Sequence, residues 1–301
     1  MEKIHLTNLN LILDDHKKEY MAGDEVSGLL TISMKGRLLL SNVKISFTCM
    51  GEAKWVENPG VRYQREGKVY HNKTNFFDYT YQMPKQYADN CLGAGDHVMP
   101  FKFRLPEEGI PSSFESIHGS VSYYVEAVID EPAINEVHRI GEPIIVESPM
   151  RNNLNISVGG TAEKDLSIFG SGTLSLSANV VKKGFTAGEV IEVQCSVENQ
   201  SSVDVVPRVT LYQTQIYMCG ERHKSLEVAL TEPIVGHKVK SETDGAEIIS
   251  VPIPQEASLS IKSPIISIKY FVHITLDIPH AIDLHINLPI IVTNKSALGL
   301  N

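Results

Sequence analysis

The sequence predicts an all-β protein made of two tandem immunoglobulin-like antiparallel β-sandwich domains, residues 1–148 and 149–301. Three observations carry this. Apolar and polar residues alternate with a period of two along most of the chain, as in strands with one buried and one wet face. No segment has the spacing of an amphipathic helix of three turns. The chain also repeats itself: Lys17–Val26 recurs 165 positions later as Lys182–Ile191, with the same chemical type in seven of ten places.

Taken in order, residues 4–13 read as the first strand, and Asp14-Asp15-His16 as a solvated turn. Ala22-Gly23-Asp24 is a turn that opens a strand over 26–34. Val43, Ile45, Phe47 and Cys49 alternate with Lys44, Ser46 and Thr48 in the next strand. Residues 57–75 are polar, carry Asn58-Pro59-Gly60 and read as a long mobile hairpin tip. Strands follow over 98–105 and 120–130. The apolar-to-polar change from Val146 to Asn153 marks a connector, and Gly159–Asp165 reads as a second flexible loop. Leu174–Val180 and Ile191–Val197 alternate again, and strands close the chain over 266–276 and 282–292. The repeat keeps its order throughout. Val43–Phe47 is answered by Pro207–Leu211, and Tyr123–Asp130 by Tyr270–Asp277.

A chain of 301 residues is long enough for two cores, and 42% hydrophobic and 21% charged residues supply ordinary globular material for both. A net charge of -9 argues against a general basic field that would hold nucleic acid. The four cysteines, Cys49, Cys91, Cys195 and Cys219, lack zinc-ligand or CxxC spacing and read as reduced, buried thiols. The N-terminus has no signal-peptide core and no stretch reaches membrane-span length, so the expected location is the cytoplasm. The four Asn-x-Ser/Thr sequons, at Asn72, Asn155, Asn199 and Asn294, carry no meaning without export.

Catalytic patterns are absent: there is no GxSxG, HExxH, GxxxxGK[ST] or GxGxxG between a strand and a helix. The nearest thing to a metal cluster is His273, His280 and His285 with Asp277 and Asp283. Asp283, His285 and Asn287 alternate with Ile282, Leu284, Ile286 and Leu288, so a polar outer strand face accounts for them. No catalytic residue, metal ligand or cofactor site is expected.

Particular runs then resemble one family. Tyr20 through Gly28, Gly51 through Trp55 and Pro111 through Ala127 carry the likeness in the first half. Leu174 through Ala178, Lys183 to Gly188, Val205 through Pro207, Leu211 through Gln215, and Asp277 through Asp283 leading to Leu288-Pro289 carry it in the second. The chain resembles the arrestins, and within them the α-arrestins, the arrestin domain-containing group related to the thioredoxin-interacting protein. The resemblance implies the arrestin fold and a non-enzymatic adaptor for cytoplasmic parts of membrane receptors or transporters. Such an adaptor is cytoplasmic, is recruited to plasma membrane or endosomes with peripheral membrane association, and promotes ubiquitination, endocytosis or endosomal sorting. An arrestin-like scaffold or coat subunit of a retromer-type trafficking complex is the alternative.

The family also implies WW-domain HECT-type ubiquitin ligases as partners, recruited by Pro-Pro-x-Tyr motifs in a tail after the second domain. None of the fifteen prolines here precedes another, and Pro84-Lys85-Gln86-Tyr87 lacks the second one. Either the sequence is the core of a longer protein with a tail beyond Asn301, or ligases are not recruited this way. The loop corresponding to the thioredoxin-binding cysteine, His237–Asp244, has no cysteine, so no thioredoxin mixed disulfide is expected. The first strand lacks the lysine pair of phosphate-sensing arrestins. The loop 57–68 stands where visual and β-arrestins carry the finger loop, which makes Arg62, Arg65 and Lys68 the candidate contacts to acidic or phosphorylated cargo segments.

Overall fold

The computed structural model describes residues 5–57, 67–81, 91–131, 136–166 and 172–300. It divides into two compact units, residues 1–148 with the short turn 219–221, and the remainder from 149 onward.

In the first unit the strands are β1 (His5–Leu13), β2 (Glu19–Met21), β3 (Glu25–Lys35), β4 (Leu38–Leu39), β5 (Val43–Glu57), β6 (Lys68–Thr80), β7 (Cys91–Leu92), β8 (Gly95–Arg104), β9 (Phe114–Ser116), β10 (Gly119–Glu131) and β11 (Glu136–Glu147). One sheet runs β1-β3-β8 and the other β2-β11-β10-β5-β6, with β9 beside β10 and a separate β4-β7 ribbon. The inward residues of β5 that alternate in the sequence, Val43, Ile45, Phe47 and Cys49, are all buried. Phe47 meets Phe103 of the opposite sheet at 4.7 Å between ring centroids and Phe77 at 5.4 Å, so the apolar face of β5 is the centre of this core.

The second unit contains β12 (Val158–Asp165), β13 (Gly172–Val180), β14 (Gly184–Thr186), β15 (Val190–Ser201), β16 (Val206–Cys219), β17 (Arg222–Ala229), β18 (Ile234–Val235), β19 (Thr243–Pro252), β20 (Ile261–Lys262), β21 (Ile266–Asp277) and β22 (Leu284–Thr293). Its sheets run β12-β13-β15-β19 and β14-β22-β21-β16-β17, with β18 beside β16 and β20 beside β21. The two units are thus β-sandwiches of matching plan.

The repeated motif has the same structure twice. Lys17 Nζ lies 3.1 Å from Asp24 Oδ2 and 4.5 Å from the Tyr20 ring centroid; Lys182 Nζ lies 2.5 Å from Glu189 Oε1 and 4.8 Å from the Phe185 centroid. The turn acid also accepts a backbone hydrogen bond, from Met21 N at 3.0 Å in one copy and Thr186 N at 2.9 Å in the other. Gly23 (φ 91°) and Gly188 (φ 79°) supply the left-handed conformation that lets each turn close. The lysines are therefore internal ties of a turn.

A second duplicated device sits beside the repeated motif in each sandwich, on the strand with which the motif's short strand pairs. Tyr123 OH donates to the Pro111 carbonyl, and Tyr270 OH to the Ser258 carbonyl at 2.6 Å, both twelve residues upstream. Two residues after each of those carbonyls, a serine clips the neighbouring strand. Ser113 N donates to Val146 O at 2.8 Å while Ser113 Oγ accepts from Val146 N at 2.9 Å; Ser260 does the same with Val292, at 2.8 and 3.0 Å. In the second unit the buried Gln213 adds a bond to Tyr270 OH at 2.7 Å and accepts from Gln215 at 2.7 Å. Each buried polar group thereby has its partner, which keeps the corner from costing desolvation.

The structure departs from the sequence expectations in four places. Among the described residues each sandwich contains one parallel pairing, β2 with β11 and β14 with β22. In each case the repeated turn carries the chain from that short edge strand to an inner strand of the other sheet. Gly159–Asp165 is not a loop but most of β12, paired with β13 from Val158↔Val180 to Asp165↔Thr173. Its glycines allow a close approach, since a Cβ on Gly160 would stand 3.0 Å from Ile286 Cγ2. Residues 68–75 of the expected hairpin tip belong to β6, an edge strand whose polar side chains face water. Of the four cysteines, only Cys49 and Cys195 are buried; Cys91 and Cys219 are half-buried, and none forms a disulfide.

Candidate interaction surface

The end of the β5-β6 hairpin is built by cross-strand pairs. The ladder runs to Glu57↔Lys68, with Val56↔Val69 and Trp55↔Tyr70 behind it. Trp55 and Tyr70 point inward and stack at 5.2 Å between centroids, while Val56 and Val69 point outward and are exposed. On the same outer face, His71 Nε2 lies 2.6 Å from Glu52 Oε1 and Lys73 Nζ 3.6 Å from Glu52 Oε2. The hydrogen bond from His71 holds the Glu52 carboxyl below its ordinary range, with Lys73 adding to the effect.

Beside this end lies the turn between β9 and β10, Ser116-Ile117-His118-Gly119. Ser116 Oγ donates to Gly119 O at 3.0 Å and accepts from His118 N and Gly119 N at 3.3 and 3.2 Å, so one serine pins the whole turn. Lys54 N donates to His118 O at 2.7 Å and ties the turn to β5. Ile117 is held outward at 91% exposure.

Of the three residues expected to contact cargo, the structure places one. Lys68 opens β6 opposite Glu57, its Nζ 5.0 Å from the Tyr70 ring centroid. Arg62 and Arg65 fall in 58–66, outside the described residues. Sequence reasoning did not find Ile117, because a lone isoleucine between a serine and a strand reads as part of the strand.

In the second unit, His273 and His285 stack at 5.2 Å, His273 bonded to Asn287 Oδ1 at 2.5 Å and His285 to Thr275 Oγ1 at 3.3 Å. Asp277 is paired with Arg208 at 2.7 Å, and Asp283 accepts from Ile278 N at 3.0 Å. Among the described residues no three potential metal ligands converge. The segment 237–244 borders a cavity of about 300 Å³ whose lining includes Cys195, Pro207, Lys240 and Glu247. Burial, and then the Glu247 carboxylate, push the Cys195 thiol up to about 11. A thiol held protonated is a poor nucleophile. Asn199 is fully buried, its amide donating to Val203 O and Lys240 O at 2.9 Å each, so its sequon serves the fold.

Residues 9–149 match the family described as Arrestin (or S-antigen), N-terminal domain, and residues 170–296 match Arrestin (or S-antigen), C-terminal domain. The chain belongs to the arrestin family. Arrestin domain-containing protein 4 of Homo sapiens is 26% identical over 295 residues, covering 95% of this chain and 71% of that protein. Arrestin domain-containing protein 1 of Mus musculus is 26% identical over 284 residues, covering 91% of this chain and 61% of its own length. Thioredoxin-interacting protein of Sus scrofa is 21% identical over 307 residues, covering 98% and 76%. The likeness to arrestin domain-containing proteins and to a thioredoxin-interacting protein is consistent with an α-arrestin. Arrestin-family proteins are adaptors that bind other proteins, which accords with a site made of exposed strand ends and turns.

Proposed function

We propose that this arrestin is a non-enzymatic cytoplasmic adaptor, recruited to plasma membrane or endosomes, that binds cytoplasmic parts of receptors or transporters and promotes their ubiquitination, endocytosis or endosomal sorting. The observation that carries the reading is the match to both arrestin domains in order, over residues 9–149 and 170–296, together with arrestin domain-containing relatives. Those relatives favour the adaptor over a retromer-type coat subunit. Ligase recruitment would run through a Pro-Pro-x-Tyr segment outside residues 1–301, docked as a polyproline II helix on a WW domain. Thioredoxin capture by a mixed disulfide is not part of the reading, because 237–244 lacks a cysteine and the neighbouring Cys195 thiol stays protonated.

Arg62, Arg65 and Lys68 are proposed to recognise acidic or phosphorylated cargo segments through charge-assisted hydrogen bonds. Replacing all three by Ala should weaken binding of an anionic cytoplasmic peptide about tenfold or more at low salt and leave the melting temperature unchanged. Titration by fluorescence anisotropy reads the affinity, and undiminished binding would refute the assignment.

A further inference from the structure

The outer face of the β12-β13-β15-β19 sheet carries one sign of charge. The strand registers put Glu163, Ser175, Glu198 and Asp244 in one cross-strand row, and Thr161, Ser177, Ser196 and Ala246 in the next. Asp165 follows Glu163 on the same face, and Glu192 stands further along β15. Among the described residues no Lys, Arg or His occupies an outward position on these four strands. Lys164 points the other way, its ammonium donating to Ile282 O. Lys240 belongs to the edge loop, where it lines the 237–244 cavity together with Asp244. Glu163 and Glu198 are exposed and have no hydrogen-bond or ion-pair partner among the described residues. The fold does not require such a face. The matching sheet of the first unit puts Ile12, Leu29 and Pro100 in one outward row, with Lys102 two residues beyond Pro100.

Two adjoining grooves run over this face. One, of about 340 Å³, lies over Glu163, Asp165 and Glu198; the other, of about 590 Å³, lies over Thr161, Ser177 and Ser196, whose short side chains leave the sheet open. The carboxylates are spread out: Glu163 and Glu198 are two strands apart, about 10 Å at the backbone, and no three potential metal ligands converge among the described residues. That spacing suits separate cations strung along a chain. Alternate side chains of an extended peptide recur about every 7 Å, the repeat that also separates Glu163 from Asp165. Lys and Arg are concentrated in the cytoplasmic loops beside membrane-spanning helices. We propose that this face holds an extended, Lys/Arg-rich cytoplasmic segment of a membrane protein, with its cations on Glu163, Asp165 and Glu198. The proposal rests on the adaptor reading, and adds a basic cargo segment to the acidic one assigned to Arg62, Arg65 and Lys68.

Fluorescence anisotropy of the whole chain with a dye-labelled peptide of alternating arginine and serine tests it. The wild type should bind this peptide at low salt and lose most of that binding in high salt. Glu163→Gln with Glu198→Gln should weaken binding about fivefold, and Ser196→Arg, which sets a like charge in the groove, about tenfold, with melting temperatures unchanged. Glu227→Gln with Glu232→Gln, both exposed on or just after β17, should leave it as it was. Undiminished binding by the Glu163 and Glu198 pair of substitutions would overturn the proposal. So would an equal loss in the Glu227 and Glu232 pair, since the charge of the whole chain and not this face would then be responsible. A wild-type dimer in sedimentation velocity that Ser196→Arg dissolves would overturn it as well, making the face a contact between copies. The anionic cargo peptide separates this proposal from the adaptor reading. A chain that binds it but not the arginine peptide refutes this face alone, whereas a chain that binds neither counts against both.

Discussion

Tyr123 and Tyr270 hold the same corner in the two units, and their hydroxyls matter because the carbonyls they reach are fixed by the adjacent serine clips. Replacing either by Phe should cost about 1–2 kcal/mol in urea unfolding. Tyr270→Phe should cost the more of the two, since it also strips the buried Gln213 amide of its acceptor. The buried thiols make a separate prediction. Burial pushes both Cys49 and Cys195 up to about 11 from an ordinary value of 9.0. An unfolded thiol thus ionises before the native one, the native state holds more protons between these values, and stability must fall as pH rises from 9 toward 11. The slope is about 1.4 kcal/mol per pH unit for each thiol. Cys49→Ala should remove about half of that slope up to about pH 10, above which the tyrosines raised by burial, Tyr20, Tyr123 and Tyr270, add their own, as urea midpoints at successive pH values will show. A slope unaffected by the substitution would contradict the assignment.

At the level of elements, the repeated turn is the feature on which the parallel strand of each unit depends. Gly188→Ala must hold Ala at φ 79° and bring its Cβ within 2.3 Å of Gln255 Nε2, so it should cost about 1–3 kcal/mol. Scanning calorimetry should show the second unit's transition lowered by several degrees, and no shift would mean the turn relaxes freely. The long strands were legible because their alternation is a direct print of burial: β5, β13 and β15 lie where Phe47, Leu176 and Val193 and their neighbours alternate. Strands β2 and β14 have three residues each, too few for any periodicity, so their parallel pairing was invisible. Strand β12 was read as a loop because Gly159 and Gly160 usually mark one, whereas here they make room for Ala178 and Ile286. Residues 68–75 were read as a loop tip because an edge strand can be as polar as a loop.

At the scale of the molecule, duplication explains the architecture: two sandwiches share a crossover turn, a tyrosine corner and a serine clip, each preserved by the need to satisfy buried polar groups. The serine-pinned turn is shared as well, at Ser116 and Ser263, so the adaptor reading looks for its contacts in what differs between the copies, chiefly the end of the β5-β6 hairpin in the first unit and the segment 237–244 in the second. The adaptor reading requires those surfaces to meet membrane proteins from the cytoplasmic side. Proximity labelling in living cells, with the chain fused to a labelling enzyme, tests this most directly. The account predicts that integral membrane receptors or transporters are enriched, with labels on their cytoplasmic segments. Enrichment of a fixed set of soluble proteins in constant proportion, with no membrane cargo among them, would contradict it.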